Sequence, residues 1–165
     1  MKRAELVIIA GINGVGKTTF YQQNHQRFNQ FTYISADEFL RKIHGNWRKS
    51  DDQIKALLQA DAAIRKLINR HANIVYEVSL GRSVVKIMDL AHSMHYSVTV
   101  IEIRIRDAAL AVERILQRFK AGGFGADPAL ITKRFTNLES DFTELECATE
   151  HVVKLDNTQA FIKLN

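Results

Sequence analysis

The 165-residue sequence is poor in the residues that mark disulfide-rich and disordered proteins, because it has one cysteine, one proline and eight glycines. The single cysteine, Cys147, excludes an internal disulfide and a zinc site built on cysteines, and it fits a reducing compartment. A lone cysteine is typically a small apolar residue without a chemical role, and we expect the same of this one. So little proline and glycine excludes a collagen-like chain or a chain rich in flexible linkers.

Long apolar runs are missing as well. No stretch approaches the ~18 apolar residues of a membrane span. The run Leu6 to Ala10 near the N-terminus is too short for the core of a signal peptide. We therefore expect a cytoplasmic protein that does not contact a membrane.

The charge is unbalanced towards the basic side, with 23 Lys and Arg against 18 Asp and Glu and a formal net charge of +5. A basic chain favours anionic partners such as nucleotides, phosphosugars, nucleic acids or acidic proteins. The basic residues are spread along the chain with no arginine run and no aromatic RNA-binding signature, which argues against a nucleic-acid partner. The charge alone does not choose among the others.

Short β-rich runs alternate with amphipathic stretches along the chain. Leu6 to Ala10 is a nearly continuous apolar run, typical of a central strand that is buried on both faces. Alternation of strands and helices predicts a parallel sheet with helices on both faces and a ligand site beyond the carboxyl ends of the strands. We predict a single α/β domain over residues 1–165 with a mostly parallel five-stranded sheet, whose strands are Leu6 to Ala10, Phe31 to Ser35, Ile74 to Val78, Ser97 to Ile105 and His151 to Leu155.

The stretches between the strands carry helix signals. Ser50-Asp51-Asp52 predicts a helix start, since a capping residue is followed by acids that favour the positive helix end. A helix from about Asp107 is expected to end at Gly122-Gly123, and the next to begin near Asp127-Pro128. In the helix that starts at Ser50 the apolar residues recur at helical spacing and are expected to face the core: Ile54, Leu57, Leu58, Ile64, Leu67 and Ile68.

A phosphate-binding loop follows the first predicted strand. Residues 11–18 read Gly-Ile-Asn-Gly-Val-Gly-Lys-Thr, the full pattern G-x-x-x-x-G-K-[ST]. The glycines let the backbone wrap closely around an anion, and the following helix adds its positive end. Lys17 can reach the β- and γ-phosphates, the Thr18 hydroxyl can ligate Mg²⁺, and Thr19 can pack or assist at the α-phosphate. The segment predicts a nucleoside triphosphate site formed by Gly11, Asn13, Gly14, Val15, Gly16, Lys17, Thr18 and Thr19.

Two acids stand at the predicted carboxyl ends of strands, where phosphoryl transfer would need them. Asp37 follows the second strand and is placed to take a proton from an acceptor hydroxyl, although an acid in the first turn of a helix also has a structural explanation. Its neighbour Glu38 fits the structural explanation better. Glu77 interrupts an apolar strand end, where a carboxylate needs a partner such as a metal, a substrate or an arginine.

Arginines that could neutralise phosphate charge lie in the segment 114–136, which we predict to be a lid. Arg114 and Arg118 are four apart on one helical face, and Arg134 lies in the next helix. Between them, residues 120–127 are glycine-rich and are predicted to act as a hinge. An arginine on the transferred phosphate contributes ~10³–10⁵ in rate, but solvated helix charge is the alternative for each of the three.

The histidines are scattered, and none is paired with a cysteine at a metal-ligand spacing. We therefore expect them at the surface or in the core. His44 and Trp47 fall in a polar stretch over residues 41–49. That stretch either lines an acceptor site or forms a cover.

The chain resembles the zeta-toxin-like P-loop kinases over nearly its whole length. Residues 10–20 resemble the family's A-G-P-N-G-A-G-K-T-T, and residues 35–37 its N-A-D or D-G-D after the second strand. Residues 73–83 resemble the strand end that carries F-E-T-T-L-S-G-R. Gly122-Gly123 with residues 133–135 resembles G-G-H followed by R-R-Y, and residues 155–158 resemble Y-D-N-S near the nucleobase.

The resemblance implies transfer of a phosphate from ATP or GTP, with Mg²⁺, to a hydroxyl of a small acceptor. In the toxins proper the acceptor is a UDP-N-acetyl amino sugar, and a partner antitoxin blocks the nucleotide site. Carried over by position, Lys17 and Thr18 bind phosphate and Mg²⁺, and Asn157 lies at the nucleotide. Asp37 is then the base, and Glu77 holds the acceptor or the metal shell. The lid arginines are Arg118 and Arg134.

The departures from the family pattern fall near the acceptor and the lid. Ile12 replaces a proline, the element after Glu77 is one residue short, and Phe124 stands where the family has a histidine. Two alternatives therefore stay open. One is another small-molecule or polynucleotide P-loop kinase, and the other is a non-catalytic nucleotide-binding module that regulates a partner.

Overall fold

A computed structural model of the chain describes residues 3–80, 83–149 and 151–165. Five strands match the predicted ones to within one residue at either end, and a sixth, β6, was not predicted because two residues give too little pattern to recognise. The five-stranded sheet of the sequence analysis is thus corrected to six strands. They are β1 (Glu5–Ala10), β2 (Thr32–Ser35), β3 (Ile74–Val78), β4 (Ser97–Arg104), β5 (His151–Asp156) and β6 (Ile162–Lys163).

The sheet has the order β2-β3-β1-β4-β5-β6, and its strands are parallel except for β6, which is antiparallel to β5. β1 lies at the centre, with Ile9 in register with Glu77 of β3 on one side and with Ile101 of β4 on the other. Ser35 at the end of β2 is in register with the same Glu77. The carboxyl ends of β1, β2 and β3 therefore meet at one edge of the sheet, the edge where open α/β sheets bind ligands.

Seven helices connect or follow these strands in the described part of the chain. The predicted starts after Asp107 and Asp127 are confirmed, since these side chains accept hydrogen bonds from the Leu110 and Ala129 amides at 2.8 and 2.9 Å. The predicted cap at Ser50 is wrong: the helix begins at Ser50, after Lys49, without a side-chain cap. The helices are α1 (Lys17–Gln23), α2 (Ala36–Lys42), α3 (Ser50–Asn69), α4 (Ser83–Ser93), α5 (Ala108–Lys120), α6 (Pro128–Thr136) and α7 (Leu138–Cys147).

The core lies on both faces of the central strands. In β1 every residue from Leu6 to Ala10 is buried, and because successive side chains point to opposite faces, both faces must be covered. Ile64 and Ile68 of α3 and Ile115 of α5 are buried in the same core. No helix within the described ranges has the length and apolar character that crossing a bilayer requires.

The first half of α3 does not pack as expected. Ile54, Leu57 and Leu58 are 55%, 44% and 64% exposed, whereas the residues of this helix that reach the core are Ala56, Ala60, Ile64 and Ile68. The buried set follows an i, i+4 row, and the small alanines let the helix approach the sheet. Predicting a buried face for Ile54, Leu57 and Leu58 is therefore wrong.

Candidate functional site

The loop of residues 11–16 joins β1 to α1 and depends on its glycines. Gly14 and Gly16 have φ of +86° and +99°, in the left-handed region that favours glycine. A Cβ at Gly14 would lie 2.5 Å from the carbonyl oxygen of Ala111, so α5 presses directly on the loop. Asn157, which follows β5, donates from Nδ2 to the Val15 carbonyl at 2.8 Å and packs against Gly16. The loop is thus fixed from both sides.

Lys17 is folded back on this loop and is 6% exposed. Its Nζ donates to the carbonyls of Gly11 at 2.8 Å and Ile12 at 3.0 Å, and to the Ser79 hydroxyl at 3.3 Å. Burial lowers the pKa of Lys17 to about 8, although the negative charges of Glu77 and Asp37 oppose the shift. The ammonium is therefore held in a partly desolvated place beside two acids.

Glu77, at the end of β3, is the hydrogen-bonding centre of the site. Thr18 Oγ1 lies 3.1 and 3.0 Å from the two carboxylate oxygens of Glu77, and the Tyr33 hydroxyl donates to Oε2. Burial and the negative charge of Glu77 raise the pKa of Tyr33, so its hydroxyl stays a donor. The carboxylate that interrupts an apolar strand is thus satisfied by two hydroxyls.

Asp37 is the second residue of α2, whose start is capped by Ser35 accepting from the Glu38 amide at 3.3 Å. Its side chain lines the same cleft as Lys17. Burial lowers the pKa of Lys17 and that of Arg134, and the negative charge of Asp37 opposes both shifts. Asp37 therefore lies within electrostatic range of the phosphate loop and the lid.

Two of the three arginines of the predicted lid reach towards the phosphate loop. Arg134 of α6 donates from Nη1 to the Asn13 side chain. Arg118 of α5 donates from Nε to the Phe124 carbonyl at 2.8 Å, and its positive charge lowers the pKa of Lys17. Arg114, one turn earlier, donates instead to the Thr158 carbonyl at 2.9 Å and ties α5 to the segment after β5.

These side chains line one cleft of about 1350 Å³. Its nucleotide side is formed by the phosphate loop, Arg114 and Asn157. Its other side, here called the acceptor side, lies between α2, α3 and the lid and is lined by Asp37, Leu40, Arg41, Trp47, Arg48, Gln53, Ile54 and Leu57.

The structure brings most of the predicted site residues together. The cleft is lined by Asn13, Gly14, Gly16, Lys17, Thr18, Thr19, Asp37, Glu77, Arg118, Arg134 and Asn157. Gly11 and Val15 are buried residues of the loop itself and do not line the cleft. Trp47 lines the cleft and His44 is not among its lining residues. Of the segment that resembles the family's S-G-R, Gly81 and Arg82 lie outside the described residues.

Sequence reasoning missed Tyr33 and the contact of Ser79 with Lys17. Tyr33 precedes Ser35 by two, so it shares a face of β2 with the residue in register with Glu77. Seeing this from sequence would require the order and register of the strands. Ser79 follows Glu77 by two residues, and that spacing is a signal the sequence does carry.

The donor set suits a magnesium ion that is shared with phosphates. No group of three or more His, Cys, Asp and Glu able to hold a metal occurs within residues 3–80, 83–149 and 151–165. Mg²⁺ prefers oxygen ligands, keeps several waters and is usually bound by one or two protein groups with substrate phosphates. The Thr18 hydroxyl and the Glu77 carboxylate, 3.0–3.1 Å apart, are oxygen groups of this kind and could hold such an ion beside the phosphate loop.

Comparison with solved structures shows the same fold in several proteins. The PezAT toxin–antitoxin system of Streptococcus pneumoniae matches with a TM-score of 0.72 at 18% identity, over 98% of this chain and 71% of that one. A chain of the Pnkp1/Rnl/Hen1 RNA repair complex matches with a TM-score of 0.72 at 17% identity, over 87% of this chain, which spans only 47% of that one. A gluconokinase from Sinorhizobium meliloti 1021 matches with a TM-score of 0.53 at 19% identity, over 96% and 86% of the two chains.

At these identities the likeness concerns the fold, which is that of P-loop kinases. A comparison with curated protein sequences finds no match. The family model described as "AAA domain" matches residues 6–134, from β1 through the phosphate loop to the lid arginine of α6. This match covers most of the chain and contains the phosphate loop with Lys17, Glu77 at the end of β3 and both lid arginines. The chain therefore belongs to the AAA domain family AAA_33.

Proposed function

We propose that the protein is a kinase that transfers the terminal phosphate of ATP or GTP to a hydroxyl group of a small acceptor. The observation that carries the proposal is the grouping of Lys17, Thr18, Glu77 and Asp37 at one end of the sheet. A phosphate loop alone would support nucleotide binding. A second carboxylate, that of Asp37, lines the same cleft and takes no part in the hydrogen bonds between Thr18 and Glu77, so it adds a group able to accept a proton.

In this proposal Thr18 and Glu77 would hold Mg²⁺, directly or through its waters, and the bound ion would neutralise phosphate charge. Lys17 leaves the carbonyls of Gly11 and Ile12 to contact the phosphates, which replace those oxygens as partners. Tyr33 keeps the Glu77 carboxylate oriented through its hydroxyl. Phosphoryl transfer depends on such positioning of charged and polar groups, because the protein forms no covalent bond with the transferred phosphate.

Asp37 accepts the proton of the acceptor hydroxyl while the oxygen of that hydroxyl attacks the γ-phosphorus. The bond between the γ-phosphorus and the bridging oxygen breaks, a bond from the acceptor oxygen to phosphorus forms, and the nucleoside diphosphate leaves. Arg118 and Arg134 neutralise the charge that spreads over the transferred group. The segment 114–136 acts as the lid that brings them there, and residues 1–165 act as one catalytic domain.

The charge and the apolar residues of the acceptor side favour an anionic acceptor with an apolar or planar part. Arg41 and Arg48 supply positive charge at this side, and Trp47, Ile54 and Leu57 supply apolar surface. A UDP-N-acetylhexosamine has both features, with a diphosphate and a pyrimidine ring. Such an acceptor would agree with the toxin of a toxin–antitoxin pair, in which an antitoxin protein is the partner.

The test is phosphate transfer detected by mass spectrometry. The protein is incubated with ATP and Mg²⁺ and, in separate reactions, with UDP-N-acetylglucosamine, gluconate and a 5′-hydroxyl RNA oligonucleotide. We expect the UDP-sugar to gain one phosphoryl group, and this product to be absent with Lys17→Ala. A product with gluconate or RNA instead would keep the kinase and reject the proposed acceptor.

A matched pair of variants tests the base. Asp37→Asn and Glu38→Gln each remove one negative charge from adjacent residues in the first turn of α2, but Glu38 does not line the cleft. We expect Asp37→Asn to lower the rate of transfer by ~10²–10⁴, the usual contribution of general base catalysis, with ATP affinity retained. Equal losses in the two variants, or none in either, would contradict the assignment of Asp37. ATP binding without transfer to any acceptor would favour the nucleotide-binding module.

A further inference from the structure

Two loops on opposite sides of the cleft touch each other. The acceptor-side loop, residues 43–49, joins α2 to α3, and the lid loop, residues 121–127, joins α5 to α6. Gly125 lies close against the Trp47 indole, because a Cβ at Gly125 would be 2.5 Å from Cζ2 and 2.6 Å from Cη2 of that ring. Only glycine fits at this position without moving the ring.

Aromatic rings and guanidinium groups surround this contact. Phe119 of α5 meets Trp47 edge to face, with ring centroids 5.7 Å apart and an angle of 73°. The Arg48 guanidinium lies 4.4 Å from the Trp47 ring centroid and 5.2 Å from that of Phe119. Cations over aromatic faces and edge-to-face ring pairs are both attractive, so the two loops are held together rather than merely adjacent.

Arg118 is close in the chain and in space to the lid residues that contact Trp47. It precedes Phe119, and its Nε donates to the carbonyl of Phe124 at 2.8 Å. The ring of Phe124 in turn lies beneath Arg41, with 5.4 Å from the guanidinium carbon to the ring centroid. Gly125, which touches Trp47, follows Phe124 directly. The carbonyl that orients Arg118 is therefore placed by two residues of the opposite wall.

The acceptor-side loop is anchored independently of the lid. Gln53 of α3 donates to the Trp47 carbonyl, and the Asn46 amide donates to Asp52 Oδ2 at 2.8 Å. The Arg48 amide donates to Asn46 Oδ1 at 2.9 Å. Since the bonds with Gln53 and Asp52 tie the loop to α3, Trp47 presents a fixed surface to the lid loop.

We propose that Trp47 is a positioning residue that sets the direction of the Arg118 side chain through Gly125 and Phe124. This rests on the proposed function, in which Arg118 contacts the transferred phosphate. Because Trp47 and Arg48 also line the acceptor side, acceptor binding and phosphate contact are coupled through the same ring. Arg118 is therefore directed towards the phosphates while the contact between Trp47 and Gly125 is in place.

A double-mutant cycle on ATP affinity tests the proposal. Kd is measured by displacement of a fluorescent ATP analogue from the wild type, Trp47→Ala, Arg118→Ala and the double variant. We expect Trp47→Ala to weaken ATP binding roughly 3–10-fold, a common size for coupling between residues in contact, and to add nothing when Arg118 is already absent. The same loss in both backgrounds, or no loss in either, would overturn the proposal.

Gly125→Ala provides a second cycle that leaves both Trp47 and Arg118 chemically intact. Its methyl group collides with the indole, so we expect weaker ATP binding and a shifted emission of Trp47, the only tryptophan of the chain. In the Trp47→Ala background the methyl group has room, and Gly125→Ala should change nothing further. Lys66→Ala, an exposed change on α3 that lies outside both the lid and the lining of the cleft, serves as the control that leaves ATP affinity unaltered. Equal effects of Gly125→Ala with and without the indole would contradict the proposal.

Failure of this inference is distinguishable from failure of the proposed function. Phosphate transfer by the wild type together with additive Trp47 and Arg118 effects would reject only the positioning by Trp47. ATP binding without transfer to any acceptor would reject the kinase, while the two affinity cycles would still show whether Trp47 acts through Arg118.

Discussion

The Thr18 hydroxyl lies 3.1 and 3.0 Å from the two carboxylate oxygens of Glu77, a residue 59 positions away in the chain. The contact arises because β1 and β3 are parallel neighbours, with Ile9 in register with Glu77, so the loop after β1 starts beside the end of β3. It joins the last residue of the phosphate-loop motif to the carboxylate of the neighbouring strand.

We expect Glu77→Gln to reduce Mg²⁺-dependent phosphate transfer at least ~10–100-fold, the usual loss when the oxygen ligands of a metal or their supports are changed. The amide oxygen can still accept from Thr18, so ATP binding without Mg²⁺ should persist. Tyr33→Phe removes only the hydroxyl that donates to Glu77 and should cause a smaller loss. Rates measured across a Mg²⁺ titration check this, and a Glu77→Gln variant with an unchanged Mg²⁺ requirement would contradict it.

The buried ammonium of Lys17 makes nucleotide affinity pH-dependent. Because burial lowers its pKa to about 8, the free protein loses this positive charge as pH rises above that value. We expect ATP affinity to begin to fall as pH rises from 7 to 8 and to fall more steeply above 8, by at most about tenfold per pH unit. Kd measured from pH 7 to 9.5 checks this. Lys17→Arg stays charged and should show no such fall, even if its affinity is lower throughout.

A second buried charge, Glu102 of β4, lies apart from the cleft. It is fully buried, and Arg104 donates to its Oε2 from Nη2 at 2.9 Å and from Nε at 3.3 Å. Its Oε1 has no hydrogen-bond partner among the described residues. Glu139 and Glu146 of α7 also pair with Arg104, and Lys154 pairs with Glu146. Three carboxylates thus share two cations.

Burial raises the pKa of Glu102 to about 7, against the attraction of Arg104. Between about pH 4.5 and 7 the folded protein therefore binds a proton that the unfolded chain has released. Because the folded-state pKa is the higher one, this group's contribution to stability is present below pH 4.5 and is lost as pH rises through 7.

We expect Glu102→Gln, which cannot ionise, to be more stable than the wild type at pH 8, on the order of 1–2 kcal/mol, and nearly equal to it at pH 5. Urea unfolding at both values measures the difference. Glu139→Gln also removes a partner of Arg104, but its side chain is 77% exposed, so it should change little at either pH. A pH dependence that is unchanged in Glu102→Gln would contradict the shifted titration of this carboxylate.

Most of the fold could be predicted from the sequence, because its signals are local. The continuous apolar run of β1 and the capping acids Asp107 and Asp127 each fix an element within a few residues. The phosphate loop was predictable for the same reason, since its glycines and Lys17 lie within eight positions. β6 has only two residues and pairs through backbone hydrogen bonds, so the sequence contains no pattern from which it could be predicted.

The candidate site could be predicted only as a set of residues, without their contacts. Tyr33 reaches Glu77, and Trp47 reaches Gly125, through strand order and loop packing that no local pattern encodes. The error on α3 has the same origin. Ile54, Leu57 and Leu58 have the spacing of a buried stripe, but the tertiary structure uses the alanine row for the core and turns Ile54 and Leu57 towards the cleft.

The exposed face of α3 allows two neighbouring leucines of one helix to be compared. Leu57 and Leu58 are both exposed residues of α3, but Leu57 lines the acceptor side of the cleft and Leu58 does not. We expect Leu57→Gln and Leu58→Gln to change the free energy of unfolding by only about 0.5 kcal/mol, as surface substitutions do. Ile64→Ala, which opens the core, should cost about 2–5 kcal/mol.

The two leucine variants should separate when phosphate transfer is measured. Leu57→Gln withdraws apolar surface that a bound acceptor would cover, so we expect its KM for the acceptor to rise roughly fivefold, corresponding to about 1 kcal/mol of lost burial, with KM for ATP unchanged. Leu58→Gln should leave both constants as in the wild type. A change in both variants would indicate a general effect on α3. A rise in KM for ATP alone would place Leu57 on the nucleotide side, and the acceptor side would have to be sought elsewhere in the cleft.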